Sequence, residues 1–368
     1  MMLIFQTVFL YLFLFGIMYF LCIQAKYSCR WIYVVLAILI YAVIFGLRYD
    51  VGADYLSYLE SYKNTLISTY NINYYHYEPG FRFLIISLVY LKAHFSCFFG
   101  IVAFIQLYLI FSSIRPYRNI YPYLVLTFML GCVWLSYANG LRQQLAFCLF
   151  ALAIFFVERK KFVRYSIIVL LAVSMHKTAI ILFLLYPLLQ YKTDWFKKEK
   201  IQLLILLGAI IIGNLGVIQN YITNLENYAT YFGYEDYFQD RYSDIIYSGE
   251  VKKGIGYYVL LIINIVLICN STKYKQYYNC KHIYYIYNLY FIGVIMKYAF
   301  EGSQLLQRIN YYFYGFDFII GAIALFYAKK MNVAMYRILI IMYLLTFIAT
   351  MYRMEDNTAL FRFYWQTT

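Results

Sequence analysis

The sequence holds no D-x-D, H-E-x-x-H, G-x-S-x-G or P-loop pattern, so metal-hydrolase, serine-hydrolase and ATPase readings lack a motif. Its seven cysteines, Cys22, Cys29, Cys97, Cys132, Cys148, Cys269 and Cys280, form no C-x-x-C pair. Most lie in or beside apolar segments, where free buried thiols are expected. Charged residues make up just 13% of the chain. Residues 1–23 lack a basic n-region and an A-x-A site, which reads as a first span rather than a cleaved signal. There is no internal repeat, low-complexity tract or soluble linker, and the absence of repeated halves counts against a transporter.

What the chain does have is apolar sequence: 64% hydrophobic residues and a mean hydropathy of +0.64 over 368 residues. Segments of about 17 to 25 apolar residues recur, the length a helix needs to cross about 30 Å of hydrocarbon. Lipid offers backbone groups no hydrogen bonds, so such repeated spans must be helical. The expectation is an all-α polytopic membrane protein of about 11–13 transmembrane helices, forming one membrane domain over residues 1–368. Spans are predicted near 3–23, 31–47, 81–112, 121–137, 141–157, 164–176, 177–190, 201–218, 255–269, 283–299, 309–328 and 334–351. Residues 81–112 are long for one crossing and interrupted by Lys92 and His94, so their first part reads as a half-inserted helix. The net charge of +14 sits in short loops between spans, as positive-inside topology requires, which argues against nucleic acid. The 47 tyrosines partly serve as interfacial belt residues.

Residues 164–190 admit two readings. One tilted helix would place His176-Lys177 in mid-membrane, and no Gly or Pro marks a turn there. A hairpin would place the pair at a turn. The hairpin puts 18 of the 31 basic residues in one set of loops, beside three of the 17 acids, Glu158, Asp194 and Glu199. A single crossing scrambles this separation, so charge favours the hairpin. With that topology the chemically suggestive groups gather on the outer side: Arg48 to Arg82, Arg142, His176-Lys177, the loop 219–254, the stretch from Glu301 to Arg308 and the tail after 351.

Charge within hydrocarbon costs several kcal/mol and is functional by default. Arg48, in GLRYDVGADY, can hold an anionic group while Asp54 binds a hydroxyl, or it can snorkel beside an aspartate. Glu78, in YEPGF, can cap a helix begun by Pro79 or act as a general base. Arg142, in NGLRQQLAF, presents a permanent planar fork of donors suited to phosphate, and Gln143 and Gln144 add neutral donors. His176-Lys177, in LLAVSMHKTAIILF, must find an anion or water, and suits a phosphate leaving group. Arg308 begins a late span, with Asp317 as partner or polar lining. In the 219–254 loop, Asp236, Asp240 and Asp244 fall at helical spacing, most simply a solvated amphipathic helix. Tyr231, Tyr237 and Tyr242 there are candidates for stacking on sugar rings.

GLRYDVGADY near residue 50, YEPGF at 77–81, NGLRQQLAFCLF at 139–150 and LLAVSMHKTAIILF at 170–183 together resemble the EpsG family of Wzy-like polysaccharide polymerases. Arg308 to Tyr312 also looks similar. The resemblance implies a bacterial enzyme with a GT-C-like membrane fold, multi-pass in the cytoplasmic membrane, with its site facing the periplasm or exterior. It would join repeat units carried on undecaprenyl diphosphate, making O-antigen, capsule or exopolysaccharide. Arg142, His176 and Lys177 would neutralise the diphosphate as the C1–O bond breaks. Arg48, Gln143 and Arg308 would complete the clamp or hold a second diphosphate. Asp54 or Glu78 would take the proton from the attacking hydroxyl. Neither cofactor nor metal is required, since basic residues neutralise the charge. A chain-length regulator protein is a candidate partner. The rival classes are a flippase, which should spread charge to both faces, an O-antigen ligase or related transferase, and an O-acyltransferase, for which His176 is the one well-placed histidine.

Overall fold

The computed structural model describes residues 2–67, 77–216, 253–301, 303–354 and 358–366. The tyrosines and acids singled out between 219 and 254, including Tyr231, Tyr237 and Tyr242, lie outside them. The chain is an all-α multi-pass membrane protein. Among the described residues, five helices are long and apolar enough to cross a membrane alone: α1 (Met2–Ser28), α5 (Phe95–Ser113), α8 (Leu141–Glu158), the run Leu306–Met331 and α17 (Val333–Tyr352). Counting each of two bent pairs as one span raises the number to seven. The larger number expected from sequence included shorter apolar helices: α2 (Ile32–Gly46), α4 (Pro79–Tyr90), α9 (Phe162–Met175) and the stretch Lys177–Tyr191. Their apolar runs read as full spans, yet each is below the length that covers the hydrocarbon.

Two expected spans break. The 81–112 run divides into α4 and α5 at Lys92, which takes a left-handed φ of 53°. The 121–137 run divides into α6 (Tyr121–Leu130) and α7 (Val133–Asn139), and the bent pair turns by 69°. Cys132, at φ 54°, makes the bend, and Trp134 Nε1 donates to the Met129 carbonyl across it. Residues 162–191 form the hairpin that the charge pattern favoured. The Tyr165 hydroxyl donates to Leu182 O (2.5 Å), the Phe162 and Tyr165 rings meet Tyr186, and Gln190 donates to Val157 O. The tip is His176, whose extended backbone (φ −155°, ψ 119°) separates α9 from a 3-10 turn at Lys177–Leu184 and α10 (Leu185–Tyr191).

Residues fall into two compact units, 1–193 with 321–368, and 194–320. The core of the first is aromatic: Tyr11 lies on Trp134 (4.2 Å between rings), Phe45 on Tyr41 (4.3 Å) and Tyr55 on Phe99 (4.6 Å). Its least expected element is the C-terminal segment. Residues Arg362–Phe363 pair antiparallel with Arg48–Tyr49, Tyr364 N donates to Leu47 O, and Gly52 N donates to Thr358 O. Apolar runs carry no signal for so short a strand.

The second unit packs α11 (Glu199–Asn214), α12 (Ile255–Cys269), α13 (Ser271–Tyr278), α14 (Lys281–Ala299) and α15 (Gln304–Tyr314). Gly293 permits close packing, because a Cβ there would strike the Tyr314 backbone. Two of its buried polar groups, Asn264 and Lys275, are paired, as burial demands. Asn264 donates to the Tyr298 and Tyr314 hydroxyls and accepts from Tyr290. Buried Lys275 bonds Asp194 at 2.8 Å.

Candidate functional site

The site is built on three chain breaks in the first unit. The first is YEPGF. Pro79 starts α4 with its ring-fixed φ and no N–H to lose. Glu78 stands at the N-cap, yet its side chain makes no capping hydrogen bond, so capping is not its task. A Cβ on Gly80 would collide with the Ser174 side chain and sit 2.9 Å from Ser174 O and 3.0 Å from the Met175 methyl. Gly80 thus lets the start of α4 abut the hairpin tip. Gly80→Ala should separate these two segments and lower the thermal unfolding midpoint in detergent, together with activity. An unchanged midpoint would refute the close-packing argument.

Against that tip, Glu78 gathers the other motifs. Its Oε2 accepts from Arg142 at 2.8 Å, and its Oε1 accepts from the Lys177 amide at 3.1 Å and lies 3.0 Å from His176 Nδ1. Glu78 is 9% exposed and His176 7%. Beside a carboxylate, Nδ1 carries a proton and donates to it. Burial alone would push the Glu78 carboxyl up. The hydrogen bond from His176, the charges of Arg142 and His176 and the Lys177 amide outweigh it and hold the group down at about 2. Both oxygens are engaged and the proton affinity is low, so this geometry disfavours the general-base role expected of Glu78. It acts as the anchor.

Arg142 is the second residue of α8, just after the Asn139-Gly140 break. Its guanidinium lies over the Tyr77 ring at 4.9 Å and interacts with the Tyr58 hydroxyl. Tyr58, on α3 (Tyr55–Ile67), also feels the charge of Asp54. Asp54, the other expected base, is half-buried next to this group, and its backbone N–H donates to Asn139 Oδ1 at 2.8 Å. Gln143 is half-buried and Lys177 exposed. Tyr58 and Tyr77 escaped the sequence reading, because single aromatic contacts do not stand out among 47 tyrosines.

Arg48 departs from the expected diphosphate role. It is 1% exposed, with Nε on Val51 O (3.2 Å), one terminal nitrogen on Phe45 O (2.8 Å) and the other on Ala138 O (3.0 Å). Its guanidinium lies 4.8 Å from the Phe99 ring centre. A cation so enclosed holds backbone: it clasps the end of α7, two steps before the turn that presents Arg142. Gly52, at φ 97°, lies where a Cβ would be 2.9 Å from the same Ala138 carbonyl. Gln106 supports the turn from α5 by donating to Tyr137 O and Leu141 O. Arg48→Met should lower stability by about 3 kcal/mol or more, since three buried carbonyls lose a charged donor. A detergent melting curve matching the parent would show that the clasp carries no weight.

Arg308 lies half-buried on α15 in the second unit. Asp317, its expected partner, experiences the charge of Lys297. Among the described residues no cluster of three or more His, Cys, Asp or Glu side chains could hold a metal ion.

These features define a class: a multi-pass helical membrane protein in which one buried carboxylate gathers an arginine, a histidine and a backbone amide from two other breaks in the fold. The EpsG family model matches residues 31–364, and the chain belongs to that family, a family of Wzy-like polymerases. No curated protein and no solved structure matches it.

Proposed function

We propose that the protein is a polysaccharide polymerase, moving a growing glycan from undecaprenyl diphosphate to a hydroxyl of another lipid-linked repeat unit at the outer face of the bacterial cytoplasmic membrane. The observation that carries this reading is the convergence of YEPGF, NGLRQQLAF and SMHKT on Glu78, in a chain of this family. Arg142 supplies a permanent charge to the diphosphate, with the donors that Glu78 and Tyr58 do not take. Exposed Lys177 adds a second cation at the hairpin tip. As the anomeric C1–O bond breaks, these charges stabilise the departing phosphate oxygen, which is where positioned donors act most strongly.

The acceptor hydroxyl must lose a proton. His176, oriented through Nδ1 by Glu78, offers Nε2 for that transfer, and Asp54 is the carboxylate alternative near Tyr58. Gln143 contributes a neutral donor beside Arg142. The assignment of Arg308 to a second diphosphate rests on the sequence. A chain-length regulator remains a proposed partner, and a GT-C-like arrangement the proposed architecture.

The test is polymerisation by purified protein in nanodiscs, supplied with its own undecaprenyl-diphosphate-linked repeat unit and resolved on a gel. A ladder at repeat-unit spacing that persists after chelation of divalent ions supports a metal-independent polymerase. A single unchanged band, from folded protein and verified substrate, removes it.

A further inference from the structure

Three short apolar helices of the first unit end at the site. Helix α2 has 15 residues, running from Trp31 beside the basic loop at Lys26 and Arg30 to the Arg48 clasp. Helix α9 has 14, running from the basic turn at Arg159, Lys160 and Lys161 to His176. The return arm has an 8-residue 3-10 turn and the 7-residue α10, ending at Lys192. At about 1.5 Å per residue, α2 and α9 measure about 21 to 23 Å, and the 18-residue α8, which joins Arg142 to the same basic turn, about 27 Å. The return arm, with its 3-10 rise of about 2.0 Å, reaches about 26 Å. A hydrocarbon core is about 30 Å thick.

The ends are fixed relative to one another. At the basic end, Gln190 bonds Val157 O and Arg115 lies over the Trp31 ring (5.0 Å). At the other end, Arg48 bonds Ala138 O, and Glu78 ties Arg142 to the hairpin tip. The outward faces of the hairpin are apolar and exposed: Ile167, Leu170, Leu171, Ile180, Leu184 and Leu188. In a multi-pass membrane protein such faces meet acyl chains. If the basic loops stand at one headgroup layer, the cluster lies short of the other.

We propose that the Glu78–Arg142–His176 cluster is recessed below the lipid phosphates on its side, with the exposed faces of α2 and the 162–191 hairpin covered by tilted acyl chains. This depth follows from helix length, independently of the catalytic reading. Its consequence for catalysis rests on that reading: a lipid-borne diphosphate enters a site already inside the apolar layer, while water-borne anions meet a barrier.

Two measurements decide it. With exposed Cys29 and Cys97 replaced by Ser, a nitroxide is placed at Lys177→Cys, and at Lys161→Cys as reference. Its depth is read from accessibility to oxygen against a nickel chelate, in monounsaturated phosphatidylcholine bilayers. The Lys161 label should stand at one edge of the hydrocarbon and the Lys177 label about 4 to 9 Å inside the opposite edge. The unmodified protein is then assayed across acyl chains of 14 to 22 carbons, with several-fold lower polymer yield expected in the thickest bilayers. A Lys177 label at or outside the phosphates overturns the proposal, as does full activity in the thickest bilayer. A deep label with no ladder from verified substrate sustains the recessed site and removes the polymerase reading.

Discussion

Arg142→Ala should abolish the repeat-unit ladder, lowering the initial rate by about 10²-fold or more, as the loss of one positioned charge donor typically does. The effect is large because this guanidinium has two tasks. It meets the developing charge on the leaving phosphate, and it pairs with Glu78, which is 9% exposed. Removing one partner of a buried pair leaves the other charge uncompensated, at a cost of about 3 to 5 kcal/mol. The rate must therefore be measured on protein shown to be folded by its gel-filtration profile and melting curve. Arg142→Lys separates the two tasks. It keeps the charge, and with it much of the stability, but a lysine lacks the planar fork that fits phosphate. Its rate should fall between those of the parent and the alanine variant. Parent-like activity in Arg142→Ala would exclude the cluster as the place of chemistry.

Glu78→Gln should be comparably damaging, by a different route. The amide nearly keeps the shape but cannot hold His176 in one tautomer by charge. If His176 takes the proton from the acceptor, the loss should appear in kcat, within the range of about 10² to 10⁴ that general-base catalysis contributes. The parent and the variant should also differ in acid. In the fold the Glu78 carboxyl is held at about 2, against an ordinary 4.5. A depressed carboxyl contributes stability that is fully present above the ordinary value and is lost as pH falls through the folded one. Here that is on the order of 3 kcal/mol, declining from about pH 4.5 toward pH 2. Melting midpoints of the parent should fall more steeply across that window than those of Glu78→Gln. Parallel curves would mean that the carboxylate is not held as the geometry implies.

Much of the site was legible because each motif sits where apolar periodicity is interrupted by groups that hydrocarbon does not tolerate. Arg142 and His176-Lys177 stood out on those grounds, and the positive-inside bias favoured a turn at His176 although neither glycine nor proline marks one. Glu78 was visible as a residue but not as a role. A carboxylate before proline reads as a cap, and its two oxygens find Arg142 and His176 at sequence separations of 64 and 98 residues. Arg48 was misjudged for the same reason. An arginine closing an apolar span looks available to a ligand until its donors are traced to the Phe45, Val51 and Ala138 carbonyls.

The sequence by itself determined the class: hydrocarbon excludes unpaired backbone, so long apolar runs become helices, and basic residues mark the loops between them. Tertiary structure decided which polar residues meet. The bend at Cys132, the contact of Gly80 with the hairpin tip and the strand that returns Arg362–Phe363 to Arg48–Tyr49 depend on close approach between distant segments. Local hydropathy carries no record of such approaches. They follow from packing and from the requirement that each buried charge find a partner.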